Sequence, residues 1–336
     1  MAKSSVTIKD IAKEAGVSTT LVSFVMSNQV AGEPVYRVGE DTARRVMEVA
    51  ERLQYKPNNT ARALRSGKTL TIGVVVSDIA NPFFAEIARD LEDQAYKYGY
   101  NVIFGSSDEN PEKFGRVVDV LLNKGVDGLI LVPCAGSEDA IRKVVGSGVD
   151  TVLLDREVPG LQVSSVVLDN REAARVITRK LLDRGARRID MVSYSMNISN
   201  TRDREQGYLD AIKEAGPEFE THIERITHNS YDSIPSYFRS ARERGVDAFM
   251  MATNTLALLV MSEIYKNGYH IPDDFKVACF DRNPLYDIYA PGIIFVRQPV
   301  DSFAARAMEL IMARIRSGPG RKVPIEQIVL SPEISG

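Results

Sequence analysis

Two groups of side chains in this sequence have the types and spacing for chemistry, and in both that chemistry is recognition. The first lies in AGVSTTLVSFVMSN (15–28). At 100° per residue, Thr20, Ser23, Ser27 and Phe24 fall on one side of a helix starting near Thr19, opposite Leu21, Val22, Val25 and Met26. Small hydroxyls on an outward face suit close approach to base edges and phosphates. A phenylalanine there suits the methyl group of thymine. The second group follows short apolar runs in the rest of the chain. Asp78, Asn81, Phe83 and Phe84 come after TIGVVVS, Asp155 and Arg156 end TVLLD, Thr253 and Asn254 end FMMA, and Asp281 and Arg282 end KVACF. Arg204 lies in RDREQGY and Gln298 in VRQP. Planar polar groups beside aromatic rings are what a hydroxylated ring needs to be gripped.

Catalytic arrangements are missing. The sequence holds no GxSxG, HExxH or GxGxxG. Its three histidines, His222, His228 and His270, lack metal-ligand spacing, and His222 and His228 read as surface or strand-end residues. RSGKT (65–69) resembles the tail of a phosphate-binding loop, but Arg62 stands where that loop needs glycine, and the motif precedes a strand instead of following one. No metal and no cofactor is expected. Cys134 and Cys279 each end an apolar run and read as buried thiols in a reducing compartment.

The elements that must position these groups divide into two kinds. Residues 1–57 read as short helices. Thr7 with Asp10 makes a capping-box-like start, Gly16 ends the first helix, Ser18 caps a second from Thr19 to about Met26, and a third runs from Glu40 to Leu53. The Gly/Pro-bearing stretch QVAGEPVYRVG (29–39) separates the last two. From residue 70, β-rich runs alternate with helical segments. KGVDGLILVP (124–133), SGVDTVLLD (147–155) and RGVDAFMMAT (244–253) echo one another: a glycine ends a helix, then Val-Asp leads into an apolar strand. Near-continuous apolar strands between helices imply parallel sheets covered on both faces. Recurrence about 120 residues apart implies two similar doubly wound lobes, with a ligand at strand carboxyl ends between them.

Charge follows the same division. Residues 1–68 hold 11 Lys/Arg against 7 Asp/Glu, whereas the remainder holds 31 against 38. A basic head on an acidic body fits a polyanion partner for the head alone. No apolar run is long enough for a membrane span and the N-terminus carries no secretory h-region, so a cytoplasmic location is expected.

TIKDIAKEAGVSTTLVS, LQYKPNNTARALRSGKT and TIGVVVSDIANPFFAEI, with VLLDR, RDREQGY, CFDRNP and VRQP, resemble the lactose/galactose repressor (LacI/GalR) family of bacterial transcription regulators over essentially the whole chain. The resemblance implies an all-α helix-turn-helix head (1–57), a hinge helix and linker (58–69), and an α/β body (70–336) of two doubly wound lobes like those of periplasmic sugar-binding proteins. Lobe 1 is expected at about 70–168 and 293–324, lobe 2 at about 169–292 and 325–336. Thr19, Thr20 and Phe24 fall at base-reading positions. Many members carry arginine where Phe24 stands, so a guanine contact does not carry over. Thr7, Ser18, Ser23, Asn28 and Tyr55 join the expected DNA-contacting set. Asn58, Thr60, Ala61, Arg62, Leu64 and Arg65 belong to the hinge, with Leu64 as a minor-groove wedge. The 29–39 segment is longer than usual in the family.

The expected function is a homodimeric, sequence-specific regulator, a repressor, on a pseudo-palindromic operator, switched by a sugar or sugar derivative between the lobes. A nucleobase-responsive, corepressed regulator is the alternative. A stand-alone solute-binding protein would leave the head unexplained. The chain ends soon after IEQIVL without a heptad extension, so a dimer is expected instead of a tetramer.

Overall fold

The computed structural model describes residues 6–31, 36–55, 67–290, 292–318 and 323–335, and all of their side chains except those of 27–31 and 289. The chain divides into two compact units, Met1–Thr69 and Leu70–Gly336.

The first unit has three described helices: α1 (Ile8–Ala15), α2 (Thr19–Ala31) and α3 (Glu40–Arg52). The backbone N–H and the hydroxyl of Thr7 both donate to Asp10 Oδ2, at 2.8 and 2.7 Å, which stops α1 fraying at its start. Those two bonds hold the Asp10 carboxyl below its ordinary range. Gly16 takes the left-handed conformation, φ 66°, that the turn into α2 requires. Ile11, Ala12, Ala15, Val22, Val25, Val46, Val49 and Ala50 make the core. The second helix runs on to Ala31, past the end expected near Met26.

In the second unit, β1 (Thr71–Val76), β2 (Asn101–Ser106), β3 (Gly128–Leu131), β4 (Asp150–Leu154) and β5 (Ser164–Leu168) form one sheet with β11 (Gln327–Leu330), in the order β11-β5-β4-β3-β1-β2. The other sheet joins β6 (Ile189–Tyr194), β7 (His222–Ile226), β8 (Ala248–Met251), β9 (Lys276–Phe280), β10 (Ile294–Arg297) and β12 (Glu333–Ser335), in the order β12-β10-β9-β8-β6-β7. Strand for strand the orders match, and among the described residues only the β10–β12 pair is antiparallel. The repeated Gly-Val-Asp has a mechanical explanation. Gly125, Gly148 and Gly245 all have positive φ. Asp127 Oδ2 accepts the amide of Leu70 at the entry to β1, and Asp247 accepts those of Arg187 and Arg188 at the entry to β6. Each aspartate locks a central strand to its neighbour at the same point of its lobe.

The helices cover both faces: α4 (Pro82–Lys97), α5 (Pro111–Asn123) and α6 (Glu138–Gly146) in the first lobe, then α7 (Asn170–Asp183), α8 (Ser199–Ala215), α9 (Ile234–Glu243), α10 (Asn254–Lys266) and α11 (Leu285–Tyr289), and finally α12 (Val300–Ser317). The last of these packs back on α4 and on strands β3 to β5 of the first lobe. The expected lobe boundaries need correcting at the C-terminal end. Residues 294–297, expected in lobe 1, pair with β9 of lobe 2, and residues 327–330, expected in lobe 2, pair with β5 of lobe 1. The chain therefore crosses between lobes after β5, after β10 and after β11, and Gln298 lies at the middle crossover.

Candidate functional site

The head presents Thr7, Ser18, Thr19 and Thr20 to solvent, and Tyr55 half-buried. Ser18 Oγ accepts the Leu21 amide at 3.2 Å, which starts α2 with the two threonines on its exposed first turn. Ser23, expected outward, is buried at 8% exposure. The buried arc of α2 is centred on Val22 and Val25, with Leu21 only half-buried, so it is rotated toward Ser23. Phe24 is half-buried and stacks on Tyr36, with ring centroids 4.0 Å apart and planes 11° from parallel. The long segment before α3 thus supplies an aromatic partner to the recognition helix. The side chain of Asn28, and all of Asn58, Thr60, Ala61, Arg62, Leu64 and Arg65, lie outside the described residues.

In the body, the strand ends deliver the expected polar residues to the interlobe cleft. Asp155 ends β4 and Asp281 ends β9, equivalent strands of the two lobes, and both have positive φ, 64° and 68°. Such strained backbone persists only where its surroundings fix it, and it clusters at binding sites. Each amide is tied to the next strand, Asp155 N–H to Val166 O and Asp281 N–H to Val296 O, both 2.9 Å. The carboxylates are 2% and 8% exposed. Burial pushes both above the ordinary carboxyl range; Arg156 and then Arg204 pull Asp155 back in part, and Arg204 does the same for Asp281.

Arg204, on α8, is 4% exposed. Its Nε donates to Asn170 Oδ1 at 2.7 Å and its Nη1 to Ala252 O at 2.6 Å, and its plane lies 3.8 Å over the Phe280 ring. Desolvation lowers its pKa, with Asp281 and Asp155 opposing, yet a guanidinium stays charged at neutral pH. Gln298 Nε2 donates to Asp281 Oδ1 at 2.6 Å. Among the described residues, three hydrogen bonds join the lobes: Asn200 Nδ2 to Asp155 Oδ2 at 3.1 Å, Asn254 Nδ2 to Asn81 Oδ1 at 3.2 Å, and Glu157 N–H to Ser199 Oγ at 3.0 Å.

The expected residues gather in two chambers. An inner one of about 90 Å³ is lined by Asp78, Asn81, Phe84, Arg156, Arg204 and Thr253. An outer one of about 420 Å³ is lined by Phe83, Asn254, Asp281, Arg282 and Gln298. Asp155 lines neither chamber and acts from beneath, through Asn200 and Arg156. Two expected ligand groups are already engaged. Arg156 is bound bidentately to Glu109, at 2.9 and 2.7 Å, and Nη1 also donates to Pro133 O. Burial works against its charge, and Glu109 and Asp155 outweigh that. Arg282 is exposed and paired with Asp287 at 2.8 Å. Thr253 caps α10 through the Leu256 amide.

Sequence reading missed Tyr194, Asn200, His228 and Tyr231, all of which line the inner chamber. Tyr194 packs edge-on against His228, with centroids 5.2 Å apart, and its hydroxyl meets that of Tyr231 at 3.4 Å. Tyr194 closes β6, so the rule that found Asp155 would have found it if applied to every strand. Among the described residues, no cluster of three or more His, Cys, Asp or Glu could hold a metal, and no helix is long and apolar enough to cross a membrane.

Comparison with known proteins covers both units. Residues 7–58 match bacterial regulatory proteins of the lacI family, residues 69–232 match the periplasmic binding proteins and sugar binding domain of the LacI family, and residues 178–335 match a periplasmic binding protein-like domain. Catabolite control protein A of Priestia megaterium is 34% identical over 310 residues, 91% of this chain and 92% of that one. The HTH-type transcriptional repressor PurR of Mannheimia succiniciproducens is 30% identical over 98% of this chain and 96% of its own. A solved complex of the transcriptional regulator CelR with cellobiose superposes with a TM-score of 0.69 at 26% identity, covering 98% of both chains. A helix-turn-helix head, a two-lobed body with a polar cleft and relatives that are regulators instead of enzymes have one common reading: the chain belongs to the LacI family, and it is a DNA-binding, ligand-responsive transcriptional regulator.

Proposed function

We propose that the effector is a small hydroxylated ring, a sugar or sugar derivative, held between the lobes by Arg204, Asp281, Gln298, Asn254 and Asn81 with Asp155 and Asn200 beneath, and that it changes the affinity of a homodimer for a pseudo-palindromic operator in the cytoplasm. One observation carries this reading. Among the described residues, Asn200 Oδ1 and Gln298 Oε1 are buried with no hydrogen-bond partner, and both residues line a cleft walled by Phe83, Phe84, Tyr194 and Tyr231. A buried acceptor without a donor costs about 1–3 kcal/mol. A polyol supplies several donors at once, and its ring can pack on the aromatic wall. The cellobiose complex of a relative supports the same class. The lobe-bridging bonds of Asn81, Ser199 and Asn200 then sense the ligand, because closing the cleft around it strengthens them and opening it breaks them. Coupling of this kind is typically ~1–3 kcal/mol, enough to switch operator occupancy.

The test is calorimetric titration of the full-length protein with mono- and disaccharides and, separately, with hypoxanthine and guanine. Sugar binding that shifts operator affinity supports the reading, and binding by the purines alone overturns it. Ionic strength gives a second check: operator affinity should fall steeply with salt while ligand affinity does not.

At the head, the Phe24–Tyr36 stack is proposed to hold the phenyl ring against a thymine methyl. Aromatic pairs contribute about 0.5–1.5 kcal/mol beyond area burial. Tyr36→Ala should therefore weaken binding to an operator recovered by in vitro selection about 3- to 10-fold. It should also relax the base preference under Phe24. An unchanged preference on reselection would remove the stack from base reading.

A further inference from the structure

The outer chamber has a charge character of its own. Glu86 and Asp90 stand one turn apart on α4, facing Asp281 at the end of β9 and Asp301 in the first turn of α12. Two arginines share the rim and both are engaged, Arg282 with Asp287 at 2.8 Å and Arg297 with Glu333 at 3.8 Å. Among the described residues, no cation lies within ion-pairing distance of Glu86 or Asp90. Deeper in, Arg156 lies 3.3 Å from Asp155 but is bound to Glu109, which leaves Arg204 as the charge opposing the buried Asp281.

A rim of carboxylates alone would say only that the surface is solvated. Gln298 adds independent information. It is 5% exposed, it lines this chamber, and its Oε1 has no partner. Its orientation is fixed, because the amide must offer Nε2 to Asp281 Oδ1, and a flipped amide would set oxygen against a carboxylate. The unpaired oxygen therefore asks for a donor, next to a carboxylate and under two more. A hydroxyl brings one donor with lone pairs to satisfy. An ammonium brings three donors, no acceptor, and a charge that offsets the chamber's excess of carboxylates over its two paired arginines. An anionic group would meet repulsion from each of the four carboxylates.

We propose that the effector carries a protonated amine, as in an amino sugar, seated between Gln298 Oε1 and the Asp281 carboxylate beneath the Glu86–Asp90 rim. The assignment rests on the cleft being the effector site and adds the charge class of its ligand.

The experiment is calorimetric titration of the full-length protein, near neutral pH, with glucosamine, galactosamine and mannosamine. Each is matched to its neutral hexose and to its N-acetyl derivative, and glucuronic acid serves as the anionic probe. At least one amine should bind about 10-fold tighter than both neutral counterparts. E86Q/D90N should reduce that advantage at least about 3-fold, with thermal melting confirming the variant's fold. Neutral sugars binding as well as their amines overturn the charge assignment and leave the cleft reading standing. Tighter binding of glucuronic acid, or an amine advantage kept in full by the double variant, also overturns it. If no probe of any charge binds, both readings fail for the hexose frame.

Discussion

Arg204→Met should abolish the effect of ligand on operator binding and destabilise the body by about 3–5 kcal/mol, the usual cost of leaving buried charge without its partner. Methionine fills much of the volume and can still lie on Phe280. It replaces neither the bonds to Asn170 and Ala252 nor the charge that Asp155 and Asp281 share. The loss has a pH signature whose sign follows from those two carboxylates. Burial holds both above the ordinary value of 3.8, so each favours folding most when protonated and loses that contribution as pH rises through its folded-state pKa. Removing Arg204 raises both further. The destabilisation should therefore be smallest as pH approaches 4 and largest at neutral pH. Thermal melts of both proteins at pH 5 and pH 7.5 measure this. A melting difference that does not change with pH would mean Arg204 acts by packing alone. A retained ligand response would remove it from the site.

The same residues show what was legible from sequence. TVLLDR and VACFDR look alike, and the structure does place Asp155 and Asp281 equivalently, down to their positive φ. Their arginines part company. Arg156 is buried on Glu109, 47 residues earlier, while Arg282 lies in solvent beside Asp287, five residues later. Local pattern fixes where a strand ends, and only tertiary contacts decide which carboxylate a long side chain reaches. Lobe membership failed for a similar reason. IFVR and QIVL are equally good edge strands, and which sheet each extends depends on the crossovers before them. On α2, residue types alone place Ser23 outward, whereas α1 and α3 choose which part of the apolar arc they cover, and that part includes Ser23. The Phe24–Tyr36 stack bridges a segment with no periodicity to read.

Gly207 makes the link between packing and recognition testable. Glycine within a helix ordinarily costs up to about 1 kcal/mol relative to alanine, so Gly207→Ala would stabilise α8 in isolation. Here the sign should reverse. A Cβ at this position would lie 2.1 Å from Arg171 O and 2.8 Å from Ala174 Cβ, both on α7. Neither atom can move by changing a rotamer, so the two helices must separate. Overpacking of this kind costs about 1–3 kcal/mol, occasionally more, and the upper part of that range is expected because the obstacle is backbone. The consequence reaches the site because Asn200 and Arg204 sit on the same buried side of α8 as Gly207. Arg204 reaches Asn170, at the start of α7, across this contact, so a shift of about 1 Å would break a 2.7 Å hydrogen bond and tilt the guanidinium off its partners. Ligand affinity should fall by about 10-fold or more. The head, a separate compact unit, should keep its own stability. Calorimetric melting with ligand titration tests both parts. Normal melting and normal affinity would show that α7 and α8 part without cost. Lower melting with normal affinity would show that the floor of the cleft is set by the strand ends and not by α8.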